Sequence, residues 1–111
     1  MTAPCGDNLP AVLQHVVLFR WREGMTPEAV AAVESGLAAL PPAIPQIRSY
    51  RFGADARLGA GEWDFAVVAG FDSVDDWAVY RDHPQHQAFI AECVRPWAAE
   101  RAAVQFETPG T

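Results

Sequence analysis

Lysine is absent from the chain. All eight basic residues are arginines, set against fourteen acidic ones, for a net charge of −6. The arginines are scattered, and no basic cluster offers the footprint that a nucleic acid or an anionic membrane surface requires. Neither is expected as a partner. Cysteine is nearly missing: Cys5 lies in a proline- and glycine-containing leader and Cys93 in a helical context. Two cysteines so placed make neither a disulfide framework nor a zinc site. No apolar run approaches the ~18 residues of a membrane-spanning helix. The opening stretch MTAPCGDNLPAV has neither the basic start nor the apolar core of a signal peptide. No glycine-rich phosphate loop and no Ser-His-Asp order stands out, which leaves nucleotide cofactors and hydrolase chemistry without support. The expectation is a cytoplasmic protein without a cofactor.

What the 111 residues do contain is half hydrophobic and one-fifth charged, the composition of a globular domain. The length suits one domain with a modest core. Residues 1–11, with Pro4, Gly6 and Pro10, read as a flexible leader, and residues 12–108 as the domain. LQHVVLFRW (Leu13–Trp21), rich in β-branched and aromatic residues, reads as a first strand. Thr26 followed by Pro27 and Glu28 marks a helix start. Val30, Val33, Leu37 and Leu40 then recur at helical spacing, and PPAIP (Pro41–Pro45) stops the helix. A second strand is expected over Ile47–Gly53 and a third over Trp63–Phe71. Ser73 with Asp76 three residues later opens a second helix, which Pro84 breaks or kinks before it resumes towards Pro96. AAVQFE (Ala102–Glu107) closes as a fourth strand.

The order β-α-β-β-α-β is that of an α+β, ferredoxin-like split arrangement with a four-stranded antiparallel sheet. Two helices cover one face of such a sheet, so the bare face should read polar. It does not. Leu13, His15, Val17, Phe19 and Trp21 alternate with Val16 and Leu18 on the first strand. Trp63, Phe65, Val67, Ala69 and Phe71 alternate with Ala66, Val68 and Gly70 on the third. Two apolar faces call for a second cover, and the simplest is another copy packed sheet on sheet, a homodimer.

The stretch VYRDHPQHQAF (Val79–Phe89) places Tyr80, His83 and His86 around Pro84. Together with HVVLFRW, FDSVDDWAVYRDHPQHQAF and the closing FETP, it resembles the stress-responsive A/B barrel (Dabb) proteins over roughly Gln14–Pro109. The most specific part is the Tyr-x-x-His-Pro-x-His run. The resemblance implies a dimeric α+β barrel. It also implies a candidate chemistry, because one plant member of that family is a polyketide cyclase. That enzyme closes a linear poly-β-ketoacyl thioester by intramolecular aldol condensation. Its catalytic tyrosine and histidine fall on Tyr80 and His86, and its first-strand histidine on His15. Its third-strand pocket histidine is replaced here by Phe65.

Each residue has a plainer alternative. His86, with an ordinary pKa near 6.5, suits a general base at neutral pH; otherwise it is a helix residue satisfied by a backbone carbonyl. Tyr80 could hydrogen-bond the oxygen that becomes negative, or pack its ring on the sheet with its hydroxyl at the surface. On a straight helix Tyr80 and His86 would diverge by roughly 120°, so the break at Pro84 must reorient one of them. His83 precedes a proline and disfavours helical geometry; fixing the kink suits it better than touching substrate, although it stands among the substrate-site candidates. His15 is either a satisfied core histidine or a pocket residue, and Phe65 and Val67 complete the expected substrate site. His83 and His86 lack the i, i+4 spacing of a helical zinc pair, so no metal is expected. Trp63, Trp77 and Trp97 read as core or interface aromatics.

The reading is a small cofactor-free cyclase of aldol type acting on a polyketide-like ligand, with His86 as base and Tyr80 orienting. The alternatives are a non-catalytic dimeric stress or ligand-binding protein, or a cofactor-free monooxygenase on the same scaffold.

Overall fold

The computed structural model describes residues 11–109. The expected leader and Cys5 lie almost wholly outside the described residues. Strand β1 (Ala11–Trp21) occupies the centre of the sheet, because its alternating large apolar side chains have partners on both faces. Helix α1 (Pro27–Ala38) starts where the sequence placed it: the Thr26 hydroxyl accepts from the Ala29 amide at 3.1 Å. Val33 and Leu37 are buried by its packing on the sheet, and Leu40, just beyond its end, is buried as well.

The segment PPAIP does not simply end α1. Leu40–Ala43 forms a short second helix, α2. Pro41 and Pro42 sit in its first turn, where a missing N–H leaves no bond unmade. The Ile44 amide closes the turn on the Leu40 carbonyl at 2.9 Å. Strand β2 (Ser49–Ala54) begins two residues later than expected, and β3 (Phe65–Phe71) likewise. The chain turns before β3: the Asp64 carboxylate accepts from the Trp21 amide at 2.8 Å, and the Trp63 ring lies under the Arg20 guanidinium, 4.4 Å away. The largest correction is β4, which runs from Ala98 to Pro109 rather than over Ala102–Glu107. Its alanine-rich start carries little strand propensity, but pairing with β1 out to Trp21–Ala98 satisfies its backbone all the same.

The sheet order is β2-β3-β1-β4, every pair antiparallel. This is the ferredoxin-like α+β fold. Helices cover the inner face, where Val17, Phe19, Phe65, Val67, Ala69 and Phe71 are buried. On the outer face Val16 stands between Val68 and Val104, and Leu18 between Ala66 and Ala102. Val104 and Phe106 there are 57% and 47% exposed. The two-faced apolar pattern is therefore real, and one of its faces is bare.

The second helical region is in three pieces: α3 (Val74–Asp82), α4 (Pro84–Phe89) and a π-helical turn (Ile90–Val94). Ser73 caps α3 by accepting from the Asp76 amide at 3.0 Å.

Candidate functional site

The break at Pro84 builds the site. Proline has no N–H, so the Tyr80 carbonyl loses its helical partner and accepts from the His83 amide instead, at 3.2 Å. His83 itself is extended (φ −61°, ψ 132°), the conformation that a following proline favours. Its ring caps α4, Nδ1 accepting from the Gln85 amide at 3.1 Å. The Gln85 amide is thereby withdrawn from the Arg81 carbonyl, its partner in an unbroken helix. That freed carbonyl accepts from two side chains, Gln87 Nε2 and His86 Nδ1, the latter at 3.1 Å.

A carbonyl oxygen can only accept, so His86 Nδ1 carries the proton and Nε2 is the ring's basic nitrogen. Burial lowers the pKa of His86, the bond to the Arg81 carbonyl opposes this, and His15 and His83 add to the lowering. A pKa below the ordinary 6.5 favours the neutral ring at pH 7. The reorientation that the sequence demanded has occurred: the Tyr80 and His86 rings meet at 4.1 Å between centroids.

Tyr80 is buried, its ring against Phe71 and its hydroxyl 2.7 Å from that of Tyr50 on β2. Burial raises the pKa of both phenols; their shared bond raises Tyr50 further but lowers Tyr80. The two hydroxyls share one hydrogen bond in which either can donate. His15, on β1, directs Nδ1 to the amide oxygen of Gln105, its cross-strand neighbour on β4. Burial lowers its pKa, against the raising effect of that bond, and the nearby Arg101 charge lowers it too.

His15, Tyr80, His86 and Arg101 line one cavity of about 70 Å³ between sheet and helices, walled by Val17, Phe19, Val67, Leu37 and Phe89. Four sequence candidates, His15, Val67, Tyr80 and His86, come together there. Two do not. His83 is occupied in capping α4, and Phe65 is packed between Trp21 and Phe52, its ring centroid 5.8 Å and 6.5 Å from theirs. Tyr50, Arg101 and Gln105 were not anticipated. The signal for Tyr50 was its place on the inner-facing register of β2, opposite small Ala69. A larger groove of about 440 Å³ at the β1–α1 corner holds no histidine, and its Arg57 and Asp64 pair with each other at 3.1 Å. Among the described residues no cluster of His, Cys, Asp and Glu could hold a metal, and no helix is long and apolar enough to cross a membrane.

Residues 13–108 match the family model described as the stress responsive A/B barrel domain. The chain belongs to that family. A dimeric ferredoxin-like protein of unknown function from Thermobifida fusca is 46% identical, with a TM-score of 0.82 over 88% of this chain and 92% of that one. A second dimeric protein of unknown function, from Bacteroides fragilis, is 29% identical, with a TM-score of 0.76 over 87% and 96%. The hydroxynitrile lyase of Passiflora edulis is 18% identical, with a TM-score of 0.79 over 92% and 97%, a likeness of fold alone. No match is found among curated proteins.

Proposed function

We propose that this family member is a cofactor-free acid–base catalyst of aldol-type carbon–carbon bond formation on a β-keto compound. One observation carries the reading: a neutral His86, held in the Nδ1–H tautomer by a carbonyl that the helix break exposes, lies against Tyr80 on a cavity wall. Nε2 takes the acidic proton from a carbon flanked by carbonyls. The enolate attacks a second carbonyl carbon, and the resulting alkoxide recovers the proton from the imidazolium. Tyr80, accepting from Tyr50, donates to the oxygen on which negative charge develops. General-base catalysis of this kind contributes ~10²- to 10⁴-fold.

The cavity volume limits the substrate. About 70 Å³ holds the reacting segment of a β-keto chain, whereas whole drug-sized ligands occupy ~300 Å³ or more. Cyclisation of a long poly-β-ketone therefore requires α4 and the π turn to move outward. We further propose that two copies pack through their bare sheet faces, as an exposed stripe containing Val104 and Phe106 favours.

A second reading is a dimeric protein without catalysis, and a specific observation favours it. Three polar side chains of the small cavity are already bonded within the chain, His15 to Gln105, Tyr80 to Tyr50 and His86 to Arg81. Incubation with synthetic linear tri- and tetraketides, followed by mass spectrometry, separates the two. Cyclised product from the wild type, lost in His86→Ala with the oligomeric state unchanged, supports catalysis. Equal turnover in His86→Ala would remove the assignment, and no turnover by the wild type favours the second reading. Product that forms only when oxygen is admitted would instead indicate a monooxygenase.

A further inference from the structure

Among the described residues, Arg101 is the one formally charged side chain on the cavity wall. It faces inward because it is the cross-strand partner of buried Phe19 on β1. Four other arginines have carboxylate partners: Arg20 pairs with Glu100, Arg48 with Asp72, Arg57 with Asp55 and Asp64, and Arg81 with Asp82. Among the described residues no carboxylate pairs with Arg22, Arg51, Arg95 or Arg101, and of these four Arg101 is the one that lines the cavity. Arg101 is also exposed while lining the cavity, so it stands where the cavity meets solvent. Among the described residues no acidic group shares that wall, and burial lowers the pKa of its two histidines. A guanidinium fork at the mouth matches a planar carboxylate in two parallel hydrogen bonds.

We propose that Arg101 is the anchor for a substrate carboxylate, so that the cavity takes the anion of a free β-keto acid with its carbonyl end inward. The molecule as a whole, at −6, repels anions, and an unpaired arginine at the cavity mouth supplies the local attraction that the bulk charge denies. A carboxylate on Arg101 leaves the keto end among His15, Tyr80 and His86, the groups that the proposed chemistry uses. The inference rests on reading the cavity as a substrate site. Its test is equilibrium binding rather than turnover, so it can fail while catalysis stands, and the reverse.

The experiment is ligand-observed NMR titration of the full chain at pH 7.5 with acetoacetate, its methyl ester and inorganic phosphate. Acetoacetate should bind saturably, at least tenfold more tightly than the ester. Arg101→Gln should weaken it at least tenfold, and Arg101→Lys should recover part of the loss, with melting temperatures unchanged. Equal binding of acid and ester, or undiminished acid binding by Arg101→Gln, would overturn the proposal. So would saturable binding of phosphate without acetoacetate, which would assign the arginine to a phosphorylated carrier. An altered monomer–dimer equilibrium in Arg101→Gln, with acid binding intact, would place Arg101 in a subunit interface and also overturn it.

Discussion

His86 owes its tautomer to a backbone defect, and its pKa to burial in a wall that also carries a second histidine. Both histidines have pKa values below 6.5, chiefly through desolvation. A histidine that binds its proton less readily when folded contributes stability that is complete above its unfolded pKa. That contribution is lost as the pH falls through 6.5 towards the lowered value. Urea denaturation at pH 8 and pH 5 should therefore show a loss of stability in acid, and His86→Gln should shrink it. The same shift should move the acid limb of any pH–rate profile below 6.5, because the base remains unprotonated there. The tyrosine pair gives a second prediction. Tyr50→Phe strands the buried Tyr80 hydroxyl and should cost ~1–3 kcal/mol, whereas Tyr50→Phe combined with Tyr80→Phe removes both partners and should cost less than the sum. Thermal melts of the three variants measure this. Tyr80, His86 and His15 became candidates through the family resemblance, with residue type in support. Tyr50 was readable only as an inner-facing strand residue, because no local pattern announces a hydroxyl–hydroxyl contact between a strand and a helix.

Among the elements, α3 and α4 share one residue as exit and entrance. His83 ends the first helix and caps the second, so His83→Ala should destabilise by ~1 kcal/mol, as loss of an N-cap does, and leave cyclisation rate constants unchanged. A fall in rate without a fall in stability would return His83 to the substrate site. Helix α1 presses on α4 at Gly36, where an added Cβ would come within 2.3 Å of a Phe89 ring carbon. Gly36→Ala should therefore overpack this contact, costing ~1–3 kcal/mol, and displace a wall of the cavity; chemical denaturation reads the first effect. The sequence signalled helix starts well, since Thr26 and Ser73 cap by local chemistry. It signalled strand ends poorly, since Ala98–Arg101 are strand only through pairing with β1. That boundary is why Arg101 escaped notice: read as loop, it had no face and no partner across the sheet.

At the scale of the whole molecule, the fold was legible because period-2 alternation on both faces of β1 and β3 demands two covers. Helices supply one. Val16, Leu18, Val68 and Val104 mark where the second must lie. Leu18→Asp should accordingly give a monomer of reduced stability by analytical ultracentrifugation and thermal melting, and a monomeric wild type would contradict the packing proposed. The cavity volume was beyond the sequence, because it depends on how closely α4 and the π turn approach the sheet. The proposed chemistry begins with His86 removing a proton from carbon. It is tested most directly by NMR measurement of α-proton exchange with solvent deuterium, in acetoacetate and in its methyl ester at high concentration, so that the outcome does not depend on Arg101. Exchange should exceed background with the wild type and fall to background with a folded His86→Ala variant; equal rates for the two proteins would rule out His86 as the base.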